Sequence, residues 1–289
     1  MALYELKSEI TLAAIEGIED LLAELEEQRL MVLEDKPSAQ AWVVGYFESK
    51  DEAIVAWKRL AESGSADWGK AEPALRELPD TDWKNSYKAH FKASKFGRLN
   101  WVPVWEREAF ELPAGEEVLW LDPGMAFGTG NHETTRLCCE RLALHATRQG
   151  NSARVIDAGC GSGILALSAA KLGFQTIAGF DNDPEAIRVS QENAVLNALA
   201  GRVNFYVGDL VTGLAGRQAE LVMANIQSDV LMRFVDELCG AVAPQGELVL
   251  SGILSRELEE VRAKFAAQVP GWKIESRVLG EWADLSLRC

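Results

Sequence analysis

The run Val155-Ile156-Asp157-Ala158-Gly159-Cys160-Gly161-Ser162-Gly163 sets a carboxylate near the end of a short β-branched strand. Glycines then follow at alternate positions, and residues 164–171 are small or apolar and suit the start of a helix. Glycines in such a turn let a ligand lie against bare backbone. Similar turns hold nucleotide phosphates, so the turn alone leaves the ligand open. A second acid, Asp181, ends the next predicted strand in Gly179-Phe180-Asp181-Asn182-Asp183-Pro184. An acid about 20 residues beyond a glycine turn can accept hydrogen bonds from both hydroxyls of a ribose. Its neighbour Asp183, directly before a proline, reads as a helix N-cap. A third acid, Asp209, follows the third strand and is either a ligand contact or a loop acid.

These groups need a sheet to hold them. From about residue 151 the chain alternates strand and helix. The predicted strands are 154–157, 175–181, 203–207, 220–225 and 247–251, with a closing pair at 272–279 and 282–288. Alternation at this spacing implies a parallel, doubly wound sheet. Such sheets bind ligands at the carboxyl ends of their strands. Asn225 ends an apolar strand there, and its amide either presents a carbonyl to an incoming group or caps the next helix.

Residues 1–78 read differently. Strands at 4–10, 29–33, 41–47 and 70–78 alternate with helices at 11–26 and about 50–63. The order βαββαβ fits a small α+β, ferredoxin-like domain. Residues 79–110 are expected as a linker helix and connecting segment, and 111–289 as the ligand-binding domain. Lys84, Lys88 and Lys92 share one face of the linker helix, as a solvated face or a stripe for an acidic group.

The bulk numbers bound the function. The chain has 289 residues, enough for two domains, and is 48% hydrophobic. No apolar run reaches membrane length, and the N-terminus lacks a signal pattern. Five irregularly spaced cysteines argue against a disulfide framework and for a reducing cytoplasm. The net charge of -15 disfavours nucleic acid and suits either solubility or a basic partner. Glu16, Glu19, Asp20, Glu24, Glu26 and Glu27 cluster in and after the first helix, again as a solvated face or a seat for a basic protein. No His or Cys pairs have zinc spacing, and no Gly-x-Ser-x-Gly elbow follows a strand. Of three histidines, His132 is placed at the site, and His90 and His145 on helix faces.

The start Asp157-x-Gly-x-Gly-x-Gly resembles class I S-adenosylmethionine-dependent methyltransferases. Upstream, Leu121-Asp122-Pro123-Gly124-Met125-Ala126-Phe127-Gly128-Thr129-Gly130-Asn131-His132-Glu133-Thr134-Thr135 forms a loop able to close over a ligand. Nearly residue for residue it resembles the signature of the PrmA family, methyltransferases of ribosomal large-subunit protein eleven. Asp82-Trp83 through Phe91 to Trp105, Ser251-Gly252-Ile253-Leu254 and Gly280-Glu281-Trp282 support it. The family often has Thr or His where Asn131 stands. The resemblance implies a seven-stranded class I sheet and S-adenosylmethionine as cofactor. It implies cofactor contacts at Phe127, Thr129, Gly130, Asp157, Gly159, Gly161, Gly163, Asp181, Asp209 and Asn225. It also implies lysine and N-terminal amine acceptors on a basic ribosomal protein.

Asn225 is the expected catalytic contact, orienting the acceptor amine; no metal and no general base are assigned. A monomer without nucleic-acid or membrane partners is expected. The alternative is methyl transfer to a different protein or a small molecule.

Overall fold

The computed structural model describes residues 3–25, 29–35, 40–63, 72–78, 93–122 and 132–289. The chain divides into two compact units, Met1–His90 and Phe91–Cys289.

The first unit runs β1 (Leu3–Ile10), α1 (Ile15–Glu24), β2 (Leu30–Asp35), β3 (Gln40–Phe47), α2 (Lys50–Ser63) and β4 (Ala74–Leu78). Its sheet has the order β2-β3-β1-β4, and every neighbouring pair is antiparallel. That order is the split βαβ arrangement expected from the sequence. Strand alternation sends Leu6, Ile10, Val43 and Phe47 into one core with Ile18, Leu22, Trp57 and Leu60 of the helices. The acidic side chains of Glu16, Glu19, Asp20, Glu24, Glu26 and Glu27 lie outside the described residues. So does the expected linker helix with Lys84, Lys88 and Lys92.

The second unit begins earlier than expected. Residues 94–103 were assigned to a connecting segment, yet they form β5 (Ser94–Phe96) and β6 (Leu99–Pro103). These pair with each other around a two-residue turn at Gly97-Arg98, where Gly97 has φ +58°. β6 also pairs in parallel with β7 (Glu117–Leu121). All five residues of β6 are buried, so the strand has no polar–apolar alternation to reveal it. Trp101 donates from Nε1 to Ser168 Oγ at 2.9 Å, fixing this small sheet to the main core.

The elements that follow are α3 (Glu133–Gln149), β8 (Arg154–Ala158), α4 (Ile164–Lys171), β9 (Thr176–Asp181), α5 (Pro184–Leu196), β10 (Asn204–Val207) and α6 (Leu210–Leu214). After them come β11 (Ala219–Asn225), α7 (Ser228–Arg233), α8 (Val235–Gly240), β12 (Val242–Leu254), α9 (Leu258–Gln268), β13 (Lys273–Leu279) and β14 (Trp282–Arg288). The seven strands β8 to β14 form one sheet of order β10-β9-β8-β11-β12-β14-β13. β14 runs antiparallel to both neighbours, and the other pairs are parallel. Apolar cores cover both faces. Strand order reverses between β8 and β11, and Asp157, Asp181 and Asn225 all sit at or beside carboxyl ends near that switch point.

Candidate active site

The glycine turn is built by backbone conformation. Gly159, Gly161 and Gly163 have φ of 71°, 52° and 77°, in the left-handed region that side chains disfavour. The amides of Gly159 and Cys160 both donate to Phe180 O at 2.9 Å, stitching the turn to β9. A Cβ on Gly159 would lie 2.6 Å from Ile226 Cγ2, and one on Gly163 would lie 2.7 Å from Ser190 Cβ. From α5, Asn193 Nδ2 donates to Ser162 O at 2.9 Å and holds the turn from outside.

Asp157 is 1% exposed. Its Oδ2 accepts from Ala166 N at 3.0 Å, and Oδ1 has no partner. Burial pushes its pKa up to about 7, and the negative charge of Asp181 adds to the rise. A buried carboxylate with one unsatisfied oxygen is expensive in isolation. It is the strongest polar irregularity beside the turn.

Asp181 is half-buried and already employed. Oδ2 accepts from Gly161 N at 2.9 Å and Oδ1 from Asp183 N at 3.1 Å. Each oxygen keeps a lone pair, so the carboxylate is oriented and can still accept. Asp183 is the N-cap of α5 as read from the sequence, accepting from Glu185 N at 2.8 Å. Asp209 caps α6 through Oδ1, which takes the amides of Val211 and Thr212 in a capping box with Thr212. Those bonds, led by the Thr212 amide, hold its carboxyl below the usual range. These bonds all use Oδ1, so the cap leaves Oδ2 for a ligand.

A cavity of about 950 Å³ collects these groups except Asp157, which does not line it. Gly159, Gly161, Asp181, Asp209, Asn225, His132 and Trp282 are among its lining residues. Asn225 donates from Nδ2 to Thr135 Oγ1 at 3.2 Å, which leaves its Oδ1 as a carbonyl acceptor. It does not cap the next helix; the N-cap of α7 is Gln227, whose side chain makes no cap bond. Thus Asn225 is not the helix cap that the sequence allows it to be. His132 is the N-cap of α3, with Nδ1 2.8 Å from Thr134 Oγ1. Its ring meets Trp282 edge-on at 4.8 Å between centroids.

Phe127, Thr129 and Gly130 lie outside the described residues. The sequence alone assigns no role to Thr135, and it marks Trp282 only within Gly280-Glu281-Trp282. The local signal was a Thr-Thr pair at the first turn of a helix directly after a glycine-rich loop. His145, placed on a helix face, is on the buried one: Nδ1 lies 2.9 Å from Glu247 Oε2. Gly252 is demanded by packing, since a Cβ there would lie 2.2 Å from Ile226 O. No group of metal ligands occurs among the described residues, and no helix among them is long and apolar enough to cross a membrane.

The comparisons with known proteins agree with this fold. A family model described as Ribosomal protein L11 methyltransferase (PrmA) matches residues 7–289. A protein of that name from Geobacter sp. (strain M21) is 38% identical over 282 residues, 94% of this chain and 89% of its own. Another, from Heliobacterium modesticaldum, is 37% identical over 233 residues, covering 79% of this chain and 70% of its own. A crystal structure of ribosomal protein L11 methylase from Lactobacillus delbrueckii subsp. bulgaricus superposes with a TM-score of 0.60 at 28% identity, over 68% of this chain and 98% of that one. The chain belongs to the ribosomal protein L11 methyltransferase (PrmA) family.

Proposed function

We propose that this chain transfers methyl groups from S-adenosylmethionine to lysine and N-terminal amines of ribosomal protein L11. The observation that carries the reading is a cavity lined by Gly159, Gly161, Asp181 and Asn225, with buried Asp157, whose Oδ1 lacks a partner, two residues before Gly159 in the chain. The donor set suits the cofactor. A buried carboxylate without a cation complements an α-ammonium. Asp181 offers two oriented acceptors to a ribose diol, and Asp209 Oδ2 offers one to an adenine amine. When bound, the cofactor supplies an electrophilic methyl on a sulfonium with a neutral leaving group.

The chain's own residues then have little covalent chemistry to perform. Their contribution is proximity and orientation. Asn225 Oδ1 accepts from the acceptor amine and directs its lone pair, while Thr135 fixes the amide so that the carbonyl is the free end. The Trp282 and His132 rings exclude water and favour the uncharged amine. Residues 1–78 hold the protein substrate. Supporting this, the first 90 residues carry 19 acidic against 10 basic residues, most of the chain's excess charge, and ribosomal proteins are basic.

Two measurements test the reading. Calorimetry should show S-adenosylmethionine binding and no NAD binding. Labelled cofactor should then mark one ribosomal protein in a whole extract, identified as L11. Label on another protein, or only on small molecules, would replace the substrate while keeping the cofactor.

A further inference from the structure

β14 is buried on both faces, but only one face is apolar. Ala283, Leu285 and Leu287 enter the core. Trp282, Asp284 and Ser286 alternate with them on the other face. Each of these three lies in a polar or aromatic chain that reaches α3. Trp282 meets His132. Asp284 meets Arg141. Ser286 donates to Glu247 Oε1 at 2.5 Å, and Glu247 Oε2 meets His145.

The middle contact is the densest. Asp284 is 0% exposed and Arg141 6%. Arg141 donates from Nε to Oδ2 at 3.0 Å and from Nη2 to Oδ1 at 2.8 Å. Arg277 of β13 grips the same carboxylate from Nε at 3.0 Å and from its backbone amide at 3.1 Å. Arg277 then reaches α3 itself, through Leu137 O at 2.7 Å and Glu140 Oε2 at 2.9 Å. Residues 137, 140 and 141 of α3 are therefore all tied to one buried carboxylate, directly or through Arg277.

Burying such charges is a poor way to gain stability, because desolvation offsets the attraction and apolar side chains of similar volume serve as well. What bidentate guanidinium–carboxylate bonds add is direction. Here their direction would set the register of α3 against the sheet. What depends on that register lies close by on the same two elements. Helix side chains lean toward the helix N-terminus, so Arg141 reaches back toward the end of α3 that bears His132, Thr134 and Thr135. Trp282, two residues from Asp284 on the same strand face, lines the cavity beside His132.

We propose that Asp284 is a positioning residue: with Arg141 and Arg277 it locks α3 against β14, and so aligns Thr135 on Asn225 and His132 on Trp282 at the acceptor end of the cavity. The proposal rests on the methyl-transfer reading above. The lock bears chiefly on the acceptor step, because the glycine turn, Asp157 and Asp181 are carried by β8, β9 and their following turns, not by α3 or β14.

The test is a charge-free seam, Arg141→Met/Arg277→Met/Asp284→Leu, assayed beside Asp284→Asn in the full chain. The triple variant should melt no lower than the parent and bind S-adenosylmethionine within twofold. Its kcat for methyl transfer to L11 should fall at least tenfold, with KM changed less. Asp284→Asn keeps shape and one acceptor, and should show the same split to a smaller degree, so it serves as the readout if the triple variant does not fold. Wild-type kcat in folded variants overturns the proposal, as does an equal loss of cofactor affinity. An inactive parent chain that still binds cofactor would instead refute the substrate reading.

Discussion

Asp157 makes the cofactor site pH-sensitive in a direction that can be worked out. Its ordinary carboxyl pKa is 3.8, and burial raises it to about 7 in the free protein. If the ionised form receives the ligand's ammonium, only the ionised fraction is competent to bind. That fraction is about one half at pH 7 and about one tenth at pH 6, so apparent affinity should weaken about fivefold over that unit. Binding at pH 6 should also release about one proton, read as a buffer-dependent enthalpy. The stability sign is opposite to that of an ion-paired acid. As pH rises from about 4 to 7, the unfolded chain loses its proton while the folded chain keeps it, so Asp157 subtracts stability over that window. The shift of about 3 units sets an upper limit of about 4 kcal/mol. Asp157→Asn should therefore melt higher than the parent at pH 8 and bind S-adenosylmethionine weakly, without a pH 6–7 slope of its own. Calorimetry in two buffers, beside thermal melts, measures all of this. Wild-type affinity in Asp157→Asn, or an affinity in the parent that is flat from pH 6 to 7, would refute the reasoning.

Three other outcomes follow from the same geometry. Asp181→Ala should weaken S-adenosylmethionine binding by the loss of two bonds worth roughly 1.5–3 kcal/mol each. It should also lower the melting temperature, because Gly161 N and Asp183 N lose their acceptor; unchanged affinity by calorimetry would remove the ribose assignment. Asn225→Ala should lower single-turnover rates while leaving cofactor affinity and melting nearly unchanged, since Asn225 caps no helix; a destabilised variant with normal turnover would contradict this. A fragment starting at Asp80 should bind S-adenosylmethionine by calorimetry yet fail to methylate intact L11, and full activity of that fragment would refute recognition by residues 1–78.

The parts legible in the sequence were those with a local cause. Asp157, the alternating glycines and Asp181 sit in strand ends and turns whose chemistry is written within a few residues, and the Asp183-Pro184 cap is a two-residue signal. The βαββαβ order was legible because polar turns and helix starts punctuate the apolar runs of that unit. β6 was not legible, because a strand buried on both faces shows no alternation and its partner β7 lies beyond a 13-residue stretch, 104–116. Asp209 was ambiguous for a similar reason: one carboxylate both caps α6 and lines the cavity, and sequence spacing does not distinguish these uses. Thr135, Trp282 and the buried Asp284 were hidden because their roles arise from contacts across 90 to 150 residues. An aspartate in a strand otherwise reading Ala-x-Leu-x-Leu looks like a solvent-facing residue until α3 is seen to cover it.

The most direct test of the central claim is mass spectrometry of purified L11 after incubation with this protein and S-adenosylmethionine. The account predicts mass gains in steps of one methyl, mapped to lysine side chains and the N-terminal amine, and a much slower gain with Asn225→Ala. An L11 of unchanged mass, in the presence of a protein that binds S-adenosylmethionine tightly, would contradict it.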